Sequence, residues 1–168
     1  MKKTLRSACL GGLTIIGVLV ASVAFVSPVN ADSSSVTRMT LLQAKPTLFT
    51  YENLPGEIPG RKTYFAAQLS KPSGQAFGLL TGSISSVAPV PGNPEEARLR
   101  TLIFRLPGGQ IVAMGNSVYP SGAHEINPNT AINIAIIGGT GKYLGARGEV
   151  TSNRNADGTY THKFILLK

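Results

Sequence analysis

The sequence predicts an all-β fold, an antiparallel sandwich or barrel, and three observations carry that prediction. From Val36 onward the chain falls into short apolar or alternating runs, turn residues separate those runs, and no segment sustains a helical period. Nineteen glycines and eleven prolines in 168 residues supply the punctuation. Short strands at regular spacing with Gly and Pro between them are the pattern of sheets that close or pack on themselves.

The elements follow in order. Asp32-Ser33-Ser34-Ser35 is a polar leader with nothing to bury. Strands are expected at 36–42, 47–52, 63–69, 77–85, 97–106, 110–114, 131–137, 147–152 and 159–167. Pro107-Gly108-Gly109 pairs the fifth run with the sixth in a tight hairpin, because proline presets the first turn dihedral and glycine tolerates positive φ. Asp157-Gly158 does the same before the last run. Two such hairpins predict antiparallel pairing. In 97–106, Leu99, Thr101 and Ile103 alternate with Arg100, Leu102 and Phe104, so both faces are partly apolar. A barrel with a packed lumen inside and neighbouring subunits outside accounts for that. The long excursions, 87–96 and 119–129, are placed to rim a barrel mouth.

Gly139-Thr140-Gly141 follows the apolar run Ile132 to Ile137 and invites a nucleotide-loop reading. The spacing argues against it: Leu144 holds the place of the third fingerprint glycine, while Ile136 and Tyr143 stand where a P-loop needs glycine and a hydroxyl residue. Both motifs also need a helix to cradle phosphate, and Gly145 and Gly148 would each cost about 1 kcal/mol inside one. A tight corner between two strands fits better.

The N-terminus carries Lys2, Lys3 and Arg6, an apolar run over 10–26, and then Val29-Asn30-Ala31. This is the layout of a secretory signal peptide, residues 1–31, cleaved after Ala31; an uncleaved anchor is the alternative, with a core shorter than the roughly 20 residues a bilayer span needs. A secreted or periplasmic chain of 32–168 follows, with a flexible leader at 32–35, a single domain at 36–168 and no stable membrane insertion. Cys9, the sole cysteine, leaves with the signal. The remaining chain has no disulfide, thiol nucleophile or cysteine metal site, and 137 residues suffice for one packed core.

The formal charge of the whole chain is +8. Arg98, Arg100 and Arg105 form the densest cluster, with Arg98 and Arg100 on one strand face. They are expected on a solvated outer face, or else as an attraction for an acidic polymer or membrane surface. Nucleic-acid binding is not expected without interleaved aromatic residues. His124 and His162 are the only histidines and lack metal-ligand spacing, so no metal is expected and both are read as exposed. No Gly-x-Ser-x-Gly elbow marks a hydrolase, and no cofactor is implied.

Ile137-Gly138-Gly139-Thr140-Gly141-Lys142-Tyr143 with Ala146-Arg147-Gly148 resembles the late signature of plant dirigent proteins. Gly139-Thr140-Gly141, Gly145 and Gly148-Glu149-Val150 resemble the matching stretch of allene oxide cyclases, as does Gly78-Leu79-Leu80-Thr81-Gly82 with Pro94-Glu95-Glu96 after it. The run from Leu102 to Gly115 is similar to their strand, glycine turn and strand. The resemblance implies an eight-stranded antiparallel barrel, a homodimer or homotrimer, and an apolar or phenolic small molecule in the lumen. It points to Tyr51-Glu52-Asn53: the cyclases carry a Tyr-Glu pair on the first barrel strand, so Glu52 is the candidate catalytic carboxylate. A carboxylate among apolar walls has a raised pKa suited to proton transfer or electrostatic guidance; the alternative is that Glu52 opens a polar loop. Tyr51, Tyr64, Phe77 and Arg147 are the candidate ligand-binding residues, with ordinary core the alternative for Tyr64 and Phe77 and a cap on the glycine corner the alternative for Arg147. The position of the cyclases' cysteine falls on or near Ile84, and their asparagine does not follow Glu52 at the expected spacing. Cyclisation, isomerisation or coupling is the activity this resemblance implies. A noncatalytic carrier and an extracellular, polysaccharide-associated binding protein are the other readings.

Overall fold

The computed structural model describes residues 36–51, 62–89, 92, 94–121 and 123–167. The expected signal peptide, the leader at 32–35 and Glu52 lie outside them. Nine strands are present: β1 (Val36–Gln43), β2 (Thr47–Tyr51), β3 (Lys62–Ser70), β4 (Ala76–Pro89), β5 (Glu95–Leu106), β6 (Gly109–Pro120), β7 (Ala131–Gly141), β8 (Arg147–Arg154) and β9 (Tyr160–Leu167). They hydrogen-bond in the order β1-β9-β8-β7-β6-β5-β4-β3-β2, and an added β1–β3 pairing closes the sheet.

The closure explains why nine strands make an eight-stranded barrel. β1 pairs with β9 from Val36 to Gln43 and touches β3 through Leu42↔Ser70 and Gln43↔Leu69. After Ala44-Lys45-Pro46 the chain resumes beside β3 at Thr47↔Ala66, one residue out of register. β1 and β2 are therefore one barrel strand with an irregularity. Pro46, which has no N–H to give a ladder, sits at that irregularity, while Ala44 N still donates to Gln68 O at 3.0 Å. Every pairing is antiparallel.

Alternation puts one face of each strand in the lumen. On β7, Ile132, Ile134 and Ile136 are buried between exposed Ala131, Asn133, Ala135 and Ile137. On β9 the inward set is Tyr160, His162, Phe164 and Leu166. Near the β5–β6 turn the lumen is a solid apolar floor of Phe104, Leu106, Ile111, Phe164 and Leu166, with the two phenyl rings edge to face at 4.8 Å.

The glycine corner forms as expected. β7 runs through Gly141, the chain turns over 142–146, and β8 starts at Arg147. Leu144 N donates to Gly141 O at 3.0 Å and Ala146 N to Tyr143 O at 2.9 Å. The sixth strand is longer than the sequence suggests, reaching Pro120 instead of Met114. Gly115 signals an end in the sequence, but in the barrel it allows close approach: a Cβ there would lie 2.7 Å from Ile134 Cγ2.

Two expectations fail. Arg98 and Arg100 face the lumen, 1% and 3% exposed, and Leu99 takes the outer face. The face of β5 carrying Leu102, Phe104 and Leu106 wins the interior, and period-two geometry takes both arginines with it. His162, expected on the surface, is fully buried for the same reason. Arg105 remains outside.

Candidate functional site

The polar half of the lumen lies toward the end of the barrel where β3 begins, β4 ends, β5 begins and β6 ends. Alternation supplies its parts: Gln43 from β1, Thr63 from β3, Arg98 and Arg100 from β5, Ser117 and Tyr119 from β6, Ser152 from β8, Tyr160 and His162 from β9. The β6–β7 loop folds over this end, and its Ile126, 2% exposed, joins the core. The loop thus delivers His124 and Glu125 to the rim.

Between these groups lies a cleft of about 260 Å³, of which about 20 Å³ is open to the centre of a water molecule. Leu48, Phe65 and Ile84 give it apolar walls; Gln43, Arg100, Tyr119, His124, Glu125 and Tyr160 give it polar ones. That free space is large enough for one ordered water, and a small organic molecule needs side-chain movement to enter. Larger grooves of about 740 and 890 Å³ are open to solvent and lie against turn residues. Neither contains a buried charge.

Each charged group in the polar half has a different fate. Arg98 donates from Nε and Nη2 to Glu96 Oε1, the first at 2.6 Å, and its guanidinium lies 4.5 Å over the Tyr119 ring. Glu125 accepts from Arg154 Nη2 at 3.1 Å and from the Tyr160 hydroxyl at 3.0 Å. Arg100 differs: its Nε and Nη1 are buried without a hydrogen-bond partner. Its guanidinium carbon stands 5.9 Å from the Tyr160 ring.

The environment holds the neighbouring groups neutral. Burial pushes the Tyr160 phenol well above its usual range, Glu125 adds to that, and Arg100 opposes it. Tyr119 is raised chiefly by burial. His162 is pulled down to about 3, first by burial and then by Arg100. Its Nε2 faces Gln43 Oε1 at 2.8 Å and its Nδ1 faces Ser152 Oγ at 2.9 Å. The amide oxygen assigns the proton to Nε2, so Ser152 donates to Nδ1. This Ser-His-Gln line looks like a nucleophile with its base. Ser152 and His162 are, however, both 0% exposed, so the line locks the core and presents no nucleophile.

The residues nominated from the sequence do not gather here. Tyr64 is on the outer face, 44% exposed, because its neighbour Phe65 takes the lumen. Arg147 is exposed beside the glycine corner. Phe77 packs against the core at the β3–β4 end, under the Lys71 ammonium at 4.7 Å, away from the cleft. None of these three lines the described cleft. Tyr51 ends β2, its side chain outside the described residues, as is Glu52. Among the described residues no group of three metal-ligating side chains is present.

Arg100, Tyr119, Tyr160 and Glu125 form the site that sequence reasoning missed. The two-residue spacing of Arg98, Arg100, Leu102 and Phe104 was the available signal for the first of them. Glu125 had none, since it sits in an aperiodic loop.

No protein-family profile and no curated protein sequence matches the chain. Among solved structures it is similar to a pyocyanin demethylase, at 26% identity and TM-score 0.59, covering 79% of this chain and 98% of that one. It is also similar to the Diels Alderase AbmU from Streptomyces koyangensis, at 16% identity and TM-score 0.60, covering 80% of this chain and 65% of that one. A nonspecific heme-binding cyclase that catalyzes a cycloaddition during neoabyssomicin biosynthesis matches at 16% identity and TM-score 0.59, with 79% of this chain and 64% of that one covered. This chain thus spans slightly under two thirds of those last two proteins. The closed antiparallel eight-stranded barrel described above is a fold it shares with proteins that act on small organic molecules by demethylation or cycloaddition.

Proposed function

We propose that the protein is a secreted barrel that binds an apolar or phenolic small molecule in its lumen and guides its cyclisation, isomerisation or coupling. One observation carries the reading: Arg100, Tyr119, Tyr160 and Glu125 converge on a cleft that Leu48, Phe65 and Ile84 wall with apolar surface. A few convergent polar groups on an apolar wall are the ordinary makeup of a small-molecule site. The likeness to a demethylase and to cycloaddition enzymes supports it, as does the resemblance to allene oxide cyclases and dirigent proteins.

Such a site works by holding its ligand in a reactive conformation and keeping water out. Arg100 supplies a fixed positive charge in a dry place, where developing negative charge on a ligand oxygen is stabilised. Tyr160 and Glu125, already hydrogen-bonded, form a donor–acceptor pair able to pass a proton at the rim. Glu52, which follows the last residue of β2, is the second carboxylate of this reading. Dirigent-like coupling requires an outside oxidant; cyclisation does not.

A noncatalytic carrier is the second reading, favoured by the engagement of Glu125 with both Arg154 and the Tyr160 hydroxyl, an arrangement that also serves as a structural clamp. The polysaccharide-binding reading loses two of its three clustered arginines to the interior.

Native mass spectrometry of the purified chain, beside a Leu48→Trp variant that fills the cleft, tests the proposal. A small molecule carried by the wild type and missing from the variant supports it, and the same spectrum reports the expected homodimer or homotrimer. A ligand held equally by both proteins refutes the lumen as its seat. Conversion of the released ligand by fresh protein separates catalyst from carrier.

A further inference from the structure

Resting on the reading of the lumen as a ligand site, we propose that the ligand carries an acidic oxygen on an apolar body and that Arg100 receives that oxygen. A carboxylate, an acidic phenol and an enol share this chemistry.

Three arginines stand at one end of the barrel, and they differ in their partners. Arg98 is matched by Glu96, and Arg154 by Glu125. Arg100 forms no ion pair with any described carboxylate, yet it is 3% exposed and two of its nitrogens are buried without partners. Arginine is almost never buried unless paired, and a polar group left unsatisfied in a folded interior calls for an explanation such as a missing partner.

The surroundings say what that partner is. Arg100 lines the cleft, so a ligand that enters with side-chain movement meets it. Among the described residues the nearby groups do not serve as its anion: the Tyr160 hydroxyl is given to Glu125, and Glu125 is held by Arg154. Burial keeps both phenols and His162 neutral. Ser86 and Ser117, paired across Arg98 on the flanking strands, have buried hydroxyls without partners as well. They stand one inward step nearer the mouth than Arg100 and extend the polar strip along which an acidic head enters. Leu48, Phe65 and Ile84 receive the rest of the molecule. A guanidinium is also the cation whose planar array of N–H donors suits a carboxylate.

Benzoate and benzamide, alike in shape and different in charge, are the probes. Isothermal titration of the full chain is expected to show benzoate binding at least about tenfold tighter than benzamide, as a charge-assisted hydrogen bond demands. Arg100→Gln should bring the two affinities together, chiefly by weakening benzoate. Arg105→Gln, on the outer face, should leave the preference intact. Thermal melts check that each variant is folded; should Arg100→Gln not fold, Arg100→Lys keeps the charge, loses the fork and is expected to show a reduced preference. Equal affinity of the wild type for both probes, or a preference that survives Arg100→Gln or is undiminished in Arg100→Lys, overturns the acidic-oxygen assignment and leaves the lumen reading standing. Binding of neither probe, or benzoate binding that Leu48→Trp does not weaken, overturns both.

Discussion

His162 Nε2 meets Gln43 Oε1 at 2.8 Å, diagonally across the β1–β9 pair in which Leu41 is the direct partner of His162. With Ser152 on the other ring nitrogen at 2.9 Å, both ring nitrogens are hydrogen-bonded, and complete burial, with Arg100 nearby, keeps the imidazole neutral. Its folded-state pKa, about 3, lies below its ordinary value of 6.5. Between those values the unfolded chain binds the extra proton, so stability is fully present above pH 6.5 and falls as pH drops toward the folded pKa.

The expected slope is about 1.4 kcal/mol per pH unit through that window. Urea unfolding at half-unit steps from about pH 7.5 to about pH 4 measures it. His162→Phe keeps an aromatic ring against Phe104, 5.2 Å away, but strands Gln43 and Ser152 at a cost of about 1–3 kcal/mol. It should lower stability at neutral pH and remove the slope between about pH 6 and about pH 5. An unchanged slope would assign the acid sensitivity to another group. Asp157 is no substitute, because its pKa is lowered from 3.8 by Thr159 and it acts below this window.

Glu125 separates stability from chemistry. Its ion pair with Arg154 is partly buried, at 25% and 21% side-chain exposure, and a glutamine amide oxygen there still accepts from Arg154 and Tyr160. Glu125→Gln should therefore melt close to the wild type. If Glu125 accepts a proton during turnover of the co-purified ligand, the same variant loses about 100-fold or more in rate. A large loss of stability with unchanged turnover would reduce Glu125 to a clamp on the β6–β7 loop.

Much of this barrel was legible in the chain. All nine strands were visible because turn residues break the runs, and the glycine corner at 138–148 was readable because a helix could not survive there. The orientation of β5 was not. Leu99, Thr101 and Ile103 compete with Leu102, Phe104 and Leu106 for the interior, and only closure of the barrel decides that Arg98 and Arg100 go inward. The Gln43–His162 contact spans 119 positions, and no local pattern announces it. Tyr64 and Phe77 carried the right residue type without the right parity or barrel end.

Two corner glycines make a controlled comparison. Gly145 has φ +74°, and a Cβ added there would meet nothing within 4 Å, so Gly145→Ala should cost only the left-handed backbone penalty of about 1–2 kcal/mol. Gly148 has φ +134°, and a Cβ there would stand 2.0 Å from the Ile165 carbonyl oxygen on β9. Gly148→Ala must push β8 and β9 apart and should cost clearly more, on the order of 3 kcal/mol or above. Equal melting temperatures for the two variants would contradict the close β8–β9 approach.

Arg100 should be a stability liability in the ligand-free protein. A buried guanidinium with two unpartnered nitrogens keeps its desolvation cost without a compensating ion pair to a described carboxylate. Arg100→Met fills a similar volume with apolar atoms beside Ile84 and Gly115, its cross-strand neighbours. Replacement of buried ionic groups by apolar ones stabilises by about 1–4 kcal/mol in favourable cases, so the variant should unfold at higher urea than the wild type when both are ligand-free. Adding benzoate should narrow the difference by stabilising the wild type alone, since a ligand stabilises only the folded state that binds it. A methionine variant that is less stable than the wild type without ligand would mean that Arg100 belongs to the architecture of the core, and its unpaired nitrogens would then be a tolerated cost of packing.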